Sequence, residues 1–255
     1  MSPSYMASGT LKSVLSLCLA FSATITPVLS VPTQAQPSNP WVPRSLKSLF
    51  EPRAPTCSGT GILLSNSGAT KSFTFWTSAD YTRTLLKSVT VNSGDTQFVP
   101  LDDGWTGTVQ RGEYLPATWV EVNMAPTLAW GDISLQQGCD GGATLSSTTD
   151  GTSQGFTENI NEDPDVPADA LFDPATQGTQ CYPGDQCTTS ATNVLDTTTG
   201  NYWAPKAPNM ASNNYIMGKL GGSTEALQKA FIGTADVNTT PQVTTSNNCF
   251  AVNFS

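Results

Sequence analysis

From Thr56 onward, β-branched and aromatic residues come in short runs separated by clusters of Gly, Asn, Asp and Ser, the pattern of strands joined by turns. The runs predict strands at Gly61 to Ser65, Ser72 to Thr77, Ser88 to Val91, Thr96 to Pro100, Gly107 to Arg111, Thr118 to Asn123 and Asp132 to Leu135. In KSFTFWTS the alternation sets Phe73, Phe75 and Thr77 on one face and Thr74 and Trp76 on the other. A last strand, Cys249 to Phe254, puts Phe250, Val252 and Phe254 on one face. Many short strands at close spacing predict an all-β sandwich or flattened barrel.

The pattern changes between Thr144 and Gly200, where Asp, Thr, Pro and Gly crowd out large apolar residues. That stretch reads as loop-dominated, within a loop-rich lobe over about residues 144–235 of a β domain spanning 56–255. Helical spacing is clearest in STEALQKAF, with Ser223 as N-cap and Leu227 and Phe231 on one side. No internal repeat is present.

Ahead of this domain, residues 1–35 read as a secretory signal: Lys12 gives the positive segment and VLSLCLAF the short apolar core. The apolar run is too short for a membrane span, and Pro27 and Pro32 follow closely. Residues 36–55 are Pro-rich and carry Arg44, Lys47 and Arg53, as a linker or pro-piece would. The expected product is a soluble extracellular monomer. In such a compartment Asn238 and Asn253 are candidate glycan acceptors, since each opens an N-x-S/T sequon.

Charge narrows the partners. The formal net charge is -9, and no Lys or Arg occurs between Arg111 and Lys206 while thirteen acids do. Such a chain repels phosphate backbones and anionic lipid, which excludes nucleic acid and membrane surfaces as primary partners. Neutral, hydroxyl-rich or cationic partners remain.

Chemistry narrows further, because the chain has no histidine. Ser-His-Asp and Cys-His catalysis and imidazole metal sites are therefore excluded. No phosphate-cradling glycine loop is present, so neither a nucleotide nor another cofactor is expected. No cysteine pair has zinc-ligand spacing, and the prolines of NEDPDVPAD favour a solvated loop over a calcium loop, so no metal is expected either. Carboxylate chemistry is what is left, and two carboxyls in unlike environments suffice for acid–base work on a glycosidic bond. With Cys18 lost in the signal, five cysteines remain, an odd number that leaves one thiol free or paired outside the chain.

Read in order, GWTGTVQRG (Gly104 to Gly112), ATWVEVNM (Ala117 to Met124) and WGDISLQQGCDGG (Trp130 to Gly142) resemble the thaumatin-like proteins, also called osmotin-like or pathogenesis-related family 5. TCSGTG and CFAVNFS are similar to that family's first and last strands. The resemblance implies a flattened two-sheet sandwich with a loop-rich second lobe. It also implies an acidic cleft associated with binding, and sometimes hydrolysis, of the cell-wall polysaccharide β-1,3-glucan. By position, the cleft glutamate falls on Glu121, the first aspartate on Asp132 and the arginine on Arg111. The second aspartate falls on Gln137, which cannot serve as acid or base, although Asp140 lies three residues on and can lean into the same space. In a hydrolase Glu121 would be the general acid and Asp132 the base or nucleophile.

The family's first-to-last bridge falls on Cys57 and Cys249. Cys181 and Cys187 can close a small loop around Pro183-Gly184 and leave Cys139 odd, or Cys139 can take one of them. Each site residue also has a plainer role open to it. Glu121 can face solvent, Asp132 and Asp140 can serve turns, and Arg111 can be a structural counter-charge. Trp105, Trp119 and Trp130 belong in the core unless one ring stacks on a sugar. A different class of function is a secreted interaction protein, effector or antigen-like, with no carbohydrate activity.

Overall fold

Alternating strands must bury one face, and here two sheets bury theirs against each other. The computed structural model describes residues 55–79, 82–173, 193–199, 207–233 and 241–255. The expected signal, nearly all of the Pro-rich tract, Cys181, Cys187 and Asn238 lie outside the described residues. One sheet has the order β4 (Thr96–Pro100), β1 (Gly61–Asn66), β14 (Cys249–Phe254), β8 (Ala143–Ser147) and β9 (Ser153–Phe156). The other runs β12 (Phe231–Ile232), β7 (Ala129–Leu135), β6 (Trp119–Asn123), β5 (Thr106–Arg111), β2 (Lys71–Ala79) and β3 (Thr82–Val91), with β13 (Val243–Thr245) also on β7. A minor ladder pairs β10 (Thr198–Thr199) with β11 (Ala207–Pro208). Two helices, α1 (Met210–Lys219) and α2 (Ser223–Lys229), complete the described elements together with two single 3-10 turns. The fold is an all-β sandwich of two mixed sheets.

The core follows strand parity. Ile62 and Leu64 of β1 and Phe250, Val252 and Phe254 of β14 face Phe73 and Phe75 of β2, Val109 of β5, Val120 and Val122 of β6, and Ile133 and Leu135 of β7. The rings of Phe73 and Phe254 meet at 5.0 Å between centroids, joining the first long strand to the last. The second face of β2 is buried too. Arg83 lies 4.1 Å from the Trp76 ring centroid and 5.5 Å from that of Trp119, while its guanidinium donates to Gln110 Oε1 at 2.7 Å. That stack covers Thr74 and Trp76, so neither face of the strand is left to solvent there.

Three departures from the expectations stand out. β8 and β9 arise inside the stretch that reads as loop-dominated. The helix begins at Ser223 as expected, but Gly222 occupies the N-cap position without a side-chain bond. It also ends at Lys229, and Phe231 pairs with Ser134 in β12 instead of extending the helix. Third, α1 was not expected; Asn209 caps it, its side chain accepting from the backbone N–H groups of Ala211 and Ser212.

The first and last strands meet in the five-stranded sheet. β1 and β14 run parallel, and a disulfide joins Cys57 to Cys249 across a sequence separation of 192, with Cα atoms 6.2 Å apart. Closing so long a loop lowers the entropy of the unfolded chain, worth roughly 5 kcal/mol at the upper end of the chain-entropy model. Because the β1–β14 ladder and Phe250–Phe254 packing persist without it, Cys57→Ala/Cys249→Ala is expected to fold but to lose about 2–4 kcal/mol in urea unfolding. A loss near zero would show that the ladder alone holds the ends.

Candidate functional site

Register turns separate motifs into one line of side chains. Thr108 of β5 pairs with Glu121 of β6, and Glu121 pairs with Asp132 of β7. Their neighbours Val109, Val120, Val122 and Ile133 belong to the core, so the hydroxyl and the two carboxyls stand together on the outer face of the seven-stranded sheet. Gly131 makes the close packing possible: a Cβ there would lie 2.6 Å from the Glu121 carbonyl oxygen and 2.9 Å from Leu145. The glycine of the WGD triplet therefore faces inward while Trp130 and Asp132 face outward.

These residues line a cavity of about 230 Å³. Thr108, Glu121 and Asp132 form part of its wall, Trp130 and Phe231 add aromatic surface, and Ser78, Gln136 and Gln242 add polar groups. The edge of β7 explains why there is room. β13 pairs with Ala129, Trp130 and Gly131 and β12 with Ser134 and Leu135, so between them no described strand covers Asp132 and Ile133. The Ile133 N–H is satisfied instead by the Gln154 side-chain oxygen at 3.0 Å.

Among the described residues no Lys or Arg lines the cavity with the carboxyl pair. Desolvation holds Glu121 above its ordinary value, opposed only by a hydrogen bond from Ser134. Asp132 is 4% exposed, and its carboxyl is pushed up to about 8 by burial first and by the Glu121 charge second. Opposed carboxyls this close titrate as a pair and hold a proton near neutral pH. Two buried oxygens of the row, Asp132 Oδ1 and Thr108 Oγ1, have no hydrogen-bond partner.

Arg111 and Asp140 are elsewhere, which corrects the expectation that one cleft gathers all four residues. Gly107, Val109 and Arg111 share the face of β5 opposite to Thr108, so Arg111 points away from Glu121. Its guanidinium donates to Asp140 Oδ1 at 2.9 Å, to the Ser255 carbonyl at 2.6 Å and to the Gly142 carbonyl, and lies 4.8 Å from the Phe254 ring centroid. Asp140 Oδ1 also accepts from the Thr118 N–H at 3.0 Å. This is a clamp fastening the end of β5 to the 139–142 turn and the end of β14. Both residues border a second cavity of about 470 Å³ with Lys71, Tyr114 and Glu162.

Gln137 lies outside the acid cavity; its carbonyl accepts from the Ala117 N–H at 2.9 Å. Cys139 is a free, fully buried thiol, and burial pushes it up to about 11, which makes it unreactive. Asn253 sits in β14 between Ser65 and Thr144, its amide donating to Ser67 Oγ at 3.3 Å. Trp105 and Trp119 are buried as expected, while Trp130 is partly exposed at the cavity. Sequence reasoning missed Thr108, Ser134 and Gln154. Thr108 was legible as the residue between two core positions in GTVQR, but nothing in the sequence says which strands flank it.

Two outcomes follow from these environments. The folded protein keeps a proton on Asp132 that the unfolded chain releases above about pH 4, so wild-type stability falls as pH rises from about 4 to about 8, by about 1.4 kcal/mol per unit at the steepest. Asp132→Asn is expected to flatten that slope in urea midpoints taken across the window, and an unchanged slope would place the bound proton elsewhere. Arg111→Met strands Asp140 and two carbonyls and is expected to cost about 3–5 kcal/mol, with Arg111→Lys recovering little because an ammonium lacks the planar fork.

No family model matches the sequence, and no curated protein matches it. Among solved structures, the chain is similar to the protein elicitor MoHrip2 from Magnaporthe oryzae, at 12% identity over 40% of this chain and 79% of that one, with a TM-score of 0.31. A likeness this slight assigns neither fold nor function.

Proposed function

We propose that this chain is a secreted, divergent thaumatin-like protein that binds a unit of a cell-wall polysaccharide, β-1,3-glucan in the first instance, in the Glu121–Asp132 cavity. The observation that carries the reading is the pairing of the two acids across β6 and β7 inside a cavity that Trp130 also lines. A sugar ring offers an apolar face to an indole and hydroxyls to carboxyl and threonine oxygens, and this wall holds all three. At about 230 Å³ the cavity is smaller than the roughly 300–1,000 Å³ of drug-sized sites, which suits one ring and not a long chain segment. The order of the sequence motifs supports the family assignment, and the apolar leader supports export.

Hydrolysis is the second reading. Residues directly opposite in an antiparallel pair have Cβ atoms about 4.5–5.5 Å apart, near the roughly 5–5.5 Å between carboxyls of retaining glycosidases. Binding is preferred because Asp132, which would have to attack the anomeric carbon as a carboxylate, has its carboxyl pushed up to about 8 by burial and so holds its proton at neutral pH.

Retention on insoluble β-1,3-glucan tests the binding reading. Wild type is expected to be retained and Glu121→Gln and Asp132→Asn to lose roughly tenfold in affinity each, the cost of about 1.4 kcal/mol. Equal retention of all three would move the site away from the acids. Reducing-sugar release from laminarin that both substitutions abolish would favour cleavage over binding alone. No retention on any wall polysaccharide would favour the interaction-protein alternative.

A further inference from the structure

Two facing carboxyls with no cation among the described residues of their cavity wall are an unfinished electrostatic arrangement, and that wall shows what would finish it. β5 contributes Thr108, β6 contributes Glu121 and β7 contributes Trp130 and Asp132. Phe231 of β12, Ser78 of β2 and Gln242 ahead of β13 are uncharged, so no Lys or Arg lines the cavity among the described residues. The acids are not the only signal. Thr108 is 2% exposed and its hydroxyl oxygen, an acceptor beside them, has no partner. The cavity thus presents acceptors in excess: two carboxyls and a hydroxyl in a wall that also holds the Trp130 and Phe231 rings.

We propose that the cavity selects a sugar carrying a free, protonated amine, so that the preferred ligand is an amino-sugar polymer such as deacetylated chitin and not a neutral glucan. This rests on the carbohydrate reading above and names the ligand's charge. A primary ammonium has three donors and matches Glu121, Asp132 and Thr108 in number. Aromatic surface in the wall favours an organic cation over a bare metal ion, because a ring attracts ammonium through its face while calcium requires six to eight oxygens. Burial raises both acids and the Glu121 charge raises Asp132 further, shifts that a positive charge in the cavity would oppose. When the ammonium arrives, the pair releases the proton it holds and both carboxyls ionise, so the proton passes to buffer and the cavity's charge is balanced by the ligand.

The test is calorimetric titration of the full chain at about pH 6 with tetramers of glucosamine, N-acetylglucosamine and β-1,3-linked glucose. The glucosamine tetramer is expected to bind at least about tenfold tighter than the other two, with the advantage shrinking in high salt. Proton release is expected to appear as a dependence of the heat on the buffer's ionisation enthalpy. Glu121→Gln/Asp132→Asn should erase the preference, whereas Glu158→Gln/Asp169→Asn, which neutralises two exposed carboxylates away from the cavity, should keep it. Equal binding of the three tetramers overturns the amine proposal and leaves the carbohydrate reading standing; binding of none overturns both. A preference that survives the first double variant, or is lost in the second, assigns the effect to general surface charge and also overturns the proposal.

Discussion

The register of β6 on β7 is the constraint on which both the core and the candidate site depend. With Val120 opposite Ile133 and Glu121 opposite Asp132, alternate residues go to the interior and to the outer cavity. A slip of β6 by one residue against β7 would drive Glu121 into the sandwich and carry Val120 and Val122 out. Gly131 guards the register from the core side, since any side chain there meets the β6 backbone and Leu145. The hydrophobic effect that fixes the core therefore fixes the acid pair as well, without any contact between the acids that would hold them together.

Much of the sandwich was legible because its strands keep strict parity. β4 and β14 fall at the expected residues, and β1, β2, β5 and β6 within a residue or two, each marked by alternation between turn residues. The strands that escaped notice are polar or very short. β8 reads ATLSS because only Ala143, Leu145 and Ser147 are turned inward, and β12 has two residues whose pairing partner lies far back in the chain. α1 escaped because MASNNYIMGK has no apolar stripe; Ile216 alone of its large residues is fully buried, and a cap at Asn209 starts it. For the site, the resemblance singled out Glu121 and Asp132, and the structure brings those two together. Arg111 could have been separated from them by parity alone, since it lies three residues from Thr108 along β5 and so on the other face. A motif carried over by order along the chain does not carry the direction in which each side chain points.

The molecule handles buried charge in two opposite ways. At Arg111, 7% exposed, the guanidinium is answered by one carboxylate and two carbonyls, and the carboxylate by a backbone N–H besides. Each burial there is compensated, which is the condition under which an interior ion pair persists as structure. At Glu121 and Asp132 two acids are placed opposite each other, and among the described residues only the Ser134 hydrogen bond to Glu121 opposes the shift. Cross-strand like charges destabilise a sheet. A fold that satisfies its charges fully in one place and leaves them unmet in another, beside a cavity, marks the second place as the one with work to do.

The edge of β7 shows how that cost is contained. A continuous strand added along β7 would have closed over Asp132. Instead β12 and β13 approach from the two ends, one parallel and one antiparallel, and stop on either side of Asp132 and Ile133. The backbone group this leaves behind is met by Gln154, reaching from β9 of the facing sheet, so the gap costs no unpaired N–H at Ile133. Asp132 is thereby nearly removed from bulk water yet borders a cavity, the combination that raises a carboxyl's proton affinity while leaving it within reach of a ligand. The same break in pairing explains the cavity's size: it spans two residues of one strand edge, which sets a limit of about one ring on what it can receive.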